Sequence, residues 1–176
     1  MTASSVSIAP PQATEYAPYY EGYISLVPAG NIVDHLERQI RETTALLSGL
    51  GEDRANFRYA PGKWSVKQLV AHICDGERIM AYRALRFSRN DQTPIEGYEQ
   101  DDYVQFSPAE RCSLAELVDE LVAVRRTTVQ LFRALDEEAW ARRGVANENE
   151  MTVRALAYVI AGHELHHRKI LKEKYL

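Results

Sequence analysis

The chain has 176 residues, a formal net charge of −4 and 45% hydrophobic residues, which fits a single folded domain with one core and excludes a chain disordered by composition. Lys and Arg are scattered among Asp and Glu, so no basic face offers itself to nucleic-acid phosphates. No run approaches the roughly 18 consecutive apolar residues of a membrane span, and the N-terminus lacks the basic start and apolar run of a secretory signal, so no membrane partner is expected. Two cysteines, Cys74 and Cys112, fit a reduced, cytoplasmic setting better than a disulfide framework.

Residues 1–28 are rich in Pro, Ser and Tyr and show no helical period. They read as an extended arm whose Tyr16, Tyr19, Tyr20 and Tyr23 could pack on the rest of the chain or across a homodimer interface. The remainder, 29–176, reads as one all-α unit. Its first helix is capped by Asn31 and carries Val33, Leu36, Ile40, Thr43 and Leu47 at helical spacing, ending at Gly49 and Gly51. His35, between Asp34 and Glu37, reads as solvated surface.

The second helix starts at Ser65, with Gln68 completing a capping box and Pro61-Gly62 marking the turn before it. It is expected to run to about Ser88 with Leu69, Ile73, Met80, Ala84 and Phe87 inward. The long connection from Asn90 to Arg111 can cross a bundle, which lets the second and third helices run parallel. Ser113 and Glu116 begin the third helix, whose inner stripe is Leu114, Leu117, Leu121, Val124, Thr128, Leu131 and Leu135. Trp140 lies beyond its end, and residues 144–150 read as a turn. The fourth helix starts near Thr152, and the four together predict an antiparallel or crossed four-helix bundle.

The stripe of that last helix carries the chemistry. Val153, Leu156, Ile160, His163, His167 and Ile170 alternate by three and four, so two imidazoles occupy positions otherwise apolar. Two histidines one turn apart can face one ion at about 2.0–2.1 Å, and burying them without a partner is costly. His72, at the edge of the second helix's inner face, is the candidate third ligand; His166 falls beside the stripe. The string His163-Glu164-Leu165-His166-His167 also fits the H-E-x-x-H pattern of zinc peptidases, with Glu164 as base. Against that reading, only nine residues follow His167, and Ile170 and Glu173 stand where the extended form of the motif needs Gly and His.

The runs GKWSVKQLVAHICDGERIMAYRALRF, GYEQDDYV and TVRALAYVIAGHELHHRKIL resemble the DinB superfamily from the first helix to the end of the chain. The resemblance implies an up-down-down-up bundle with a long crossover between helices 2 and 3. It also implies a divalent metal, zinc or nickel, held by three histidines that fall on His72, His163 and His167. Some relatives are metal-dependent transferases or isomerases that use a low-molecular-weight thiol such as bacillithiol or mycothiol. A metal-dependent transferase or hydrolase acting on a small molecule is therefore the leading expectation, and a non-catalytic metal-stapled stress or binding protein the alternative. Asp75 and Glu164 are candidates to orient imidazoles or carry protons. Tyr98 and Tyr103 are candidates to close a pocket. Arg83 and Arg86 could attract an anionic substrate but read more simply as exposed helix charges, and Cys74 reads as a small core residue.

Overall fold

The computed structural model describes residues 8–176; the start of the N-terminal arm lies outside the described residues. The α-helices are α1 Glu21–Ile24, α2 Ile32–Leu47, α3 Glu52–Ala55, α4 Val66–Ser88, α5 Gln100–Phe106, α6 Leu114–Arg133, α7 Glu137–Ala141 and α8 Val153–Ile170. The long helices α2, α4, α6 and α8 form the bundle. Each begins where a capping side chain takes up a free backbone N–H: Asn31 from Val33, Ser65 from Gln68, Ser113 from Glu116 and Thr152 from Ala155.

Around the bundle the order is α2, α6, α4, α8 and back to α2, so consecutive long helices lie on diagonals at α2/α4 and at α6/α8. Cross-helix pairs give the directions. Lys67 and the Leu114 N–H both meet Glu52 at the starts of α4 and α6, and further along Glu77 meets Arg125, so α4 and α6 run parallel. Gln39 bonds the Ala161 carbonyl, and Glu42 meets Arg168, so α2 and α8 are parallel as well. Ile32 and Leu36 share a buried cluster with Val129 and Phe132, while Leu47 shares one with Leu114 and Leu117, so α2 and α6 are antiparallel. The path is up-down-down-up, and the parallel α4/α6 pair requires the long connection between them.

That connection is not structureless. It contains α5 and a 3-10 turn, Ala109–Arg111, with Val104 and Ala109 buried. Residues 144–150, expected as a turn, belong to a hairpin of β1 Arg143–Ala146 and β2 Asn149–Thr152. Its two-residue turn places Asn147 and Glu148 at φ 50° and 62°, the backbone a tight hairpin requires. Ile95 pairs with this hairpin, accepting from Asn147 N–H and donating to the Val145 carbonyl. The chain after α4 is thereby fastened across one end of the bundle.

The arm departs most from expectation. Its described part folds into two 3-10 turns, Ala13–Glu15 and Pro18–Tyr20, followed by α1. Tyr16, Tyr20 and Ile24 are buried with the α8 core. Glu15 accepts from the Thr152 hydroxyl at 2.9 Å and from Arg154, tying the arm to the start of α8. Gly162 on α8 allows the approach, since a Cβ there would lie 2.0 Å from the Tyr23 carbonyl oxygen. Tyr16 and Tyr20 are thus spent within the chain, and the homodimer expected through the arm draws no support from them.

Two readings of charge are corrected. His35 is buried, its Nε2 3.2 Å from the Ala29 carbonyl, because the arm's last turn folds over it. Arg83 is 2% exposed, not a surface charge: the segment that carries Ile95 and Glu96 lies over it, and its Nη2 reaches the Glu96 carbonyl.

Candidate metal centre

His72 on α4 faces His163 and His167 on α8, as expected from two antiparallel helices with ligand residues on their facing stripes. His72 Nε2 lies 3.0 Å and His167 Nε2 3.1 Å from His163 Nε2. The three ligand atoms all fall within 4.8 Å of one another. Hydrogen bonding cannot satisfy this arrangement. Each neutral ring nitrogen either donates or accepts once in the ring plane, whereas His163 Nε2 faces two others. A cation satisfies all three lone pairs, and ligands on one tetrahedral ion at about 2.0–2.1 Å stand ~3.3 Å apart. The donor set therefore fits a divalent ion.

The environment keeps these rings neutral, the form a ligand needs. Burial pushes His72 down to about 4 and His163 down to about 3, the second helped by His72 and His166 nearby. His167 is lowered further by burial and by the other rings. Its Nδ1 is buried with no hydrogen-bond partner, a cost of about 1–3 kcal/mol that ligation at Nε2 can offset.

The rings are held in place by packing. Trp64 lies against His72 with ring centroids 4.7 Å apart. Tyr23 meets His163 at 5.5 Å and His166 at 5.4 Å, both edge-on. Gly76 gives His163 room, because a Cβ there would sit 3.0 Å from its Cε1. His166 is half-buried beside His167 and stands outside the three-nitrogen cluster.

The centre lies between two cavities. One, of about 260 Å³, is lined by His163 together with Tyr20, Tyr98, Arg83 and Asn147. The other, of about 370 Å³, is lined by His167, His166, Trp64 and Asp101. Tyr23 lines both. Burial raises Tyr23, with Tyr19 adding to the effect, and burial raises Tyr98. Both phenols are therefore hydrogen-bond donors at neutral pH.

The remaining candidates are distributed differently. Glu164 points away from the histidines, toward α2 and α6, where it is 1% exposed, accepts from Thr43 and pairs with Arg125 at 2.7 Å. Asp75 is half-buried and pairs with Arg78 at 3.4 Å; burial raises its carboxyl. Tyr98 lines the cavity, whereas Tyr103 is 47% exposed and packs edge-on against Tyr98. Arg86 pairs with Asp91 beside Tyr82. Cys74 is buried, and burial raises its thiol, consistent with a core residue. Sequence reasoning missed Tyr23 and Asp101 as site residues, since neither lies on a periodic stripe, although the acidic pair Asp101-Asp102 stands out in an otherwise aromatic connection.

Comparisons with known proteins agree with the fold. The profile of the DinB superfamily matches residues 35–171. A protein of Oceanobacillus iheyensis named "Putative metal-dependent hydrolase OB0413" is 26% identical over 128 residues, covering 72% of this chain and 73% of its own. YfiT from Bacillus subtilis, described as "a probable metal-dependent hydrolase with an unusual four-helix bundle topology", superposes with a TM-score of 0.71 at 14% identity, covering 96% of this chain and 92% of its own. A DinB-like protein of Bacillus subtilis, YjoA, gives 0.59 at 21% identity over 81% and 87% of the two chains. A mycothiol-dependent maleylpyruvate isomerase gives 0.65 at 11% identity, over 82% of this chain and 61% of its own.

Proposed function

The chain belongs to the DinB superfamily, and we propose that it is a metal-dependent hydrolase of a small molecule, with zinc or nickel held by His72, His163 and His167. The observation that carries this reading is the convergence of three Nε2 atoms beside two cavities, one lined by His163 and the other by His167. Two of the relatives above are described as metal-dependent hydrolases, which supports the same reaction class. Three neutral imidazoles would leave a divalent ion held there its full charge, and the chemistry it would supply is acidification of a water or a thiol.

The chain's own groups would do the rest. Tyr23 and Tyr98 donate hydrogen bonds toward a substrate oxygen in the first cavity. Asp101 is the carboxylate whose charge acts on His72, and it lines the second cavity with His167. It is the acid best placed to take up a proton. Glu164, occupied by Arg125 and Thr43, is not free to serve as the base of a peptidase.

The test is a screen of amide and ester substrates with protein reconstituted with zinc or nickel, run with and without a low-molecular-weight thiol. Turnover without thiol, with kcat reduced at least about ten-fold in Asp101→Asn while the metal is retained, supports the hydrolase. Turnover only when bacillithiol or mycothiol is added overturns it in favour of thiol-dependent transfer. A fully loaded protein without turnover in either arm favours a metal staple between α4 and α8.

A further inference from the structure

Two arginines are buried to the same degree in this bundle. Arg83 and Arg125 are each 2% exposed. Arg125 is saturated: its guanidinium meets both oxygens of Glu77 at 2.7 and 2.8 Å, Glu164 at 2.7 Å and the Leu36 carbonyl at 2.9 Å. Arg83 has no ion-pair partner among the described residues. Its Nε bonds nothing, its Nη1 finds the Met80 sulfur at 3.7 Å, and its Nη2 the Glu96 carbonyl at 3.4 Å. An isolated buried cation is among the costliest groups a fold can carry, and it persists where something outside the chain neutralises it.

Arg83 lines the same cavity as His163. We propose that this cavity binds a substrate carrying a carboxylate, which pairs with Arg83 while the reacting group reaches toward the histidines. This deepens the hydrolase reading and rests on it for the identity of the reacting end. The guanidinium offers a planar fork of N–H donors that matches a carboxylate in two parallel hydrogen bonds. Tyr98 and Asn147, neutral groups at the same wall, complete a site suited to one negative charge. A phosphate dianion would call for more positive charge than the single guanidinium supplies. Of the acids lining the cavity, Glu77 is engaged on both oxygens by Arg125, and Glu99 is exposed.

Helix geometry bounds the size of the ligand. Gly76, against which His163 rests, and Arg83 are seven residues apart on α4, or about 10 Å along the axis at 1.5 Å per residue. Arg83 reaches back to the Met80 sulfur, one turn nearer Gly76, so the substrate is a small acid no longer than that, carboxylate at one end and hydrolysable bond at the other.

Calorimetric titration of the linear dicarboxylate pimelate, its neutral diamide and inorganic phosphate tests this directly, using metal-loaded protein, Arg83→Met, Arg83→Lys and His163→Ala. Pimelate is expected to bind at least about ten-fold tighter than the diamide, and Arg83→Met to remove that margin without loss of bound metal. Arg83→Lys should restore part of it. In His163→Ala, which lacks the metal, the Arg83-dependent share of pimelate binding should persist. Pimelate no tighter than the diamide, or undiminished in Arg83→Met, would overturn the proposal, as would phosphate outcompeting pimelate through Arg83. Absence of metal from the parent protein would remove the hydrolase reading alone, because the Arg83 comparison can be made on the metal-free chain. Thermal unfolding of Arg83→Met guards against a folding artefact, since loss of an unpaired buried charge should not lower its stability.

Discussion

The two sides of α4 teach opposite lessons about buried polarity. Toward α6 and α2, Glu77, Arg125, Glu164 and Thr43 pair with one another; among the described residues on that side Gln39 Oε1 and Glu164 Oε2 make no hydrogen bond, and the latter still lies 2.7 Å from the Arg125 guanidinium. Toward α8 and the hairpin, three imidazole nitrogens crowd together, His167 Nδ1 and Arg83 Nε bond nothing, and a cavity adjoins them. The first region holds the bundle in register. The second keeps its polar atoms for something that is not protein. Burial alone does not distinguish the two arginines; pairing does.

Substitutions that treat both regions alike should separate them. The largest effect is expected at Arg125→Met, which strands two buried carboxylates: a loss of about 3–5 kcal/mol in urea unfolding. Arg83→Met should instead be neutral or stabilising by up to about 2 kcal/mol. Equal destabilisation by both changes would break the contrast.

Gly162→Ala probes the arm that covers the histidine side. Its new methyl meets the Tyr23 backbone, so a cost of about 1–3 kcal/mol is expected from overpacking, together with faster exchange of the metal as Tyr23 lifts from His163. Unchanged stability would show that the arm does not need its present seat.

Acid should affect the two regions differently as well. The metal-free protein holds His72 near 4 and His163 near 3 by burial, below the ordinary histidine value of about 6.5. Between those values the unfolded chain binds protons that the folded chain does not. Stability is therefore complete above pH 6.5 and falls as the pH drops toward 4, by on the order of 1.4 kcal/mol per histidine per pH unit. Bound metal should flatten that slope, and a metal-free protein equally stable at pH 7 and pH 5 would contradict it. The smallest effect is expected at Glu148→Gly, which relieves a left-handed residue in the hairpin turn and should add about 0.5–1 kcal/mol.

The sequence showed the framework and the ligands because both are periodic. Asn31, Ser65, Ser113 and Thr152 announce helix starts through local chemistry, and His163 and His167 stand out against an apolar stripe. What was hidden depends on chain passing over chain. Arg83 reads as surface because it is a charge on a helix, and His35 because Asp34 and Glu37 stand beside it; only the segment around Ile95 and the arm's last turn bury them. Three-residue 3-10 turns carry no period, so the arm looked extended. The hairpin turn uses Asn147-Glu148 where Asn-Gly would have signalled it. Glu164 sits inside a motif that suggests catalysis, yet its neighbour across the bundle is Arg125, a pairing set by tertiary structure alone.

The central claim is that three histidines hold one metal ion, and elemental analysis tests it most directly. Protein purified without chelator or a histidine tag should contain one divalent ion per chain. His72→Ala, His163→Ala and His167→Ala should lose it, while His166→Ala keeps it. A parent protein that takes up no zinc or nickel on titration, or equal loss from His166→Ala, would contradict the account.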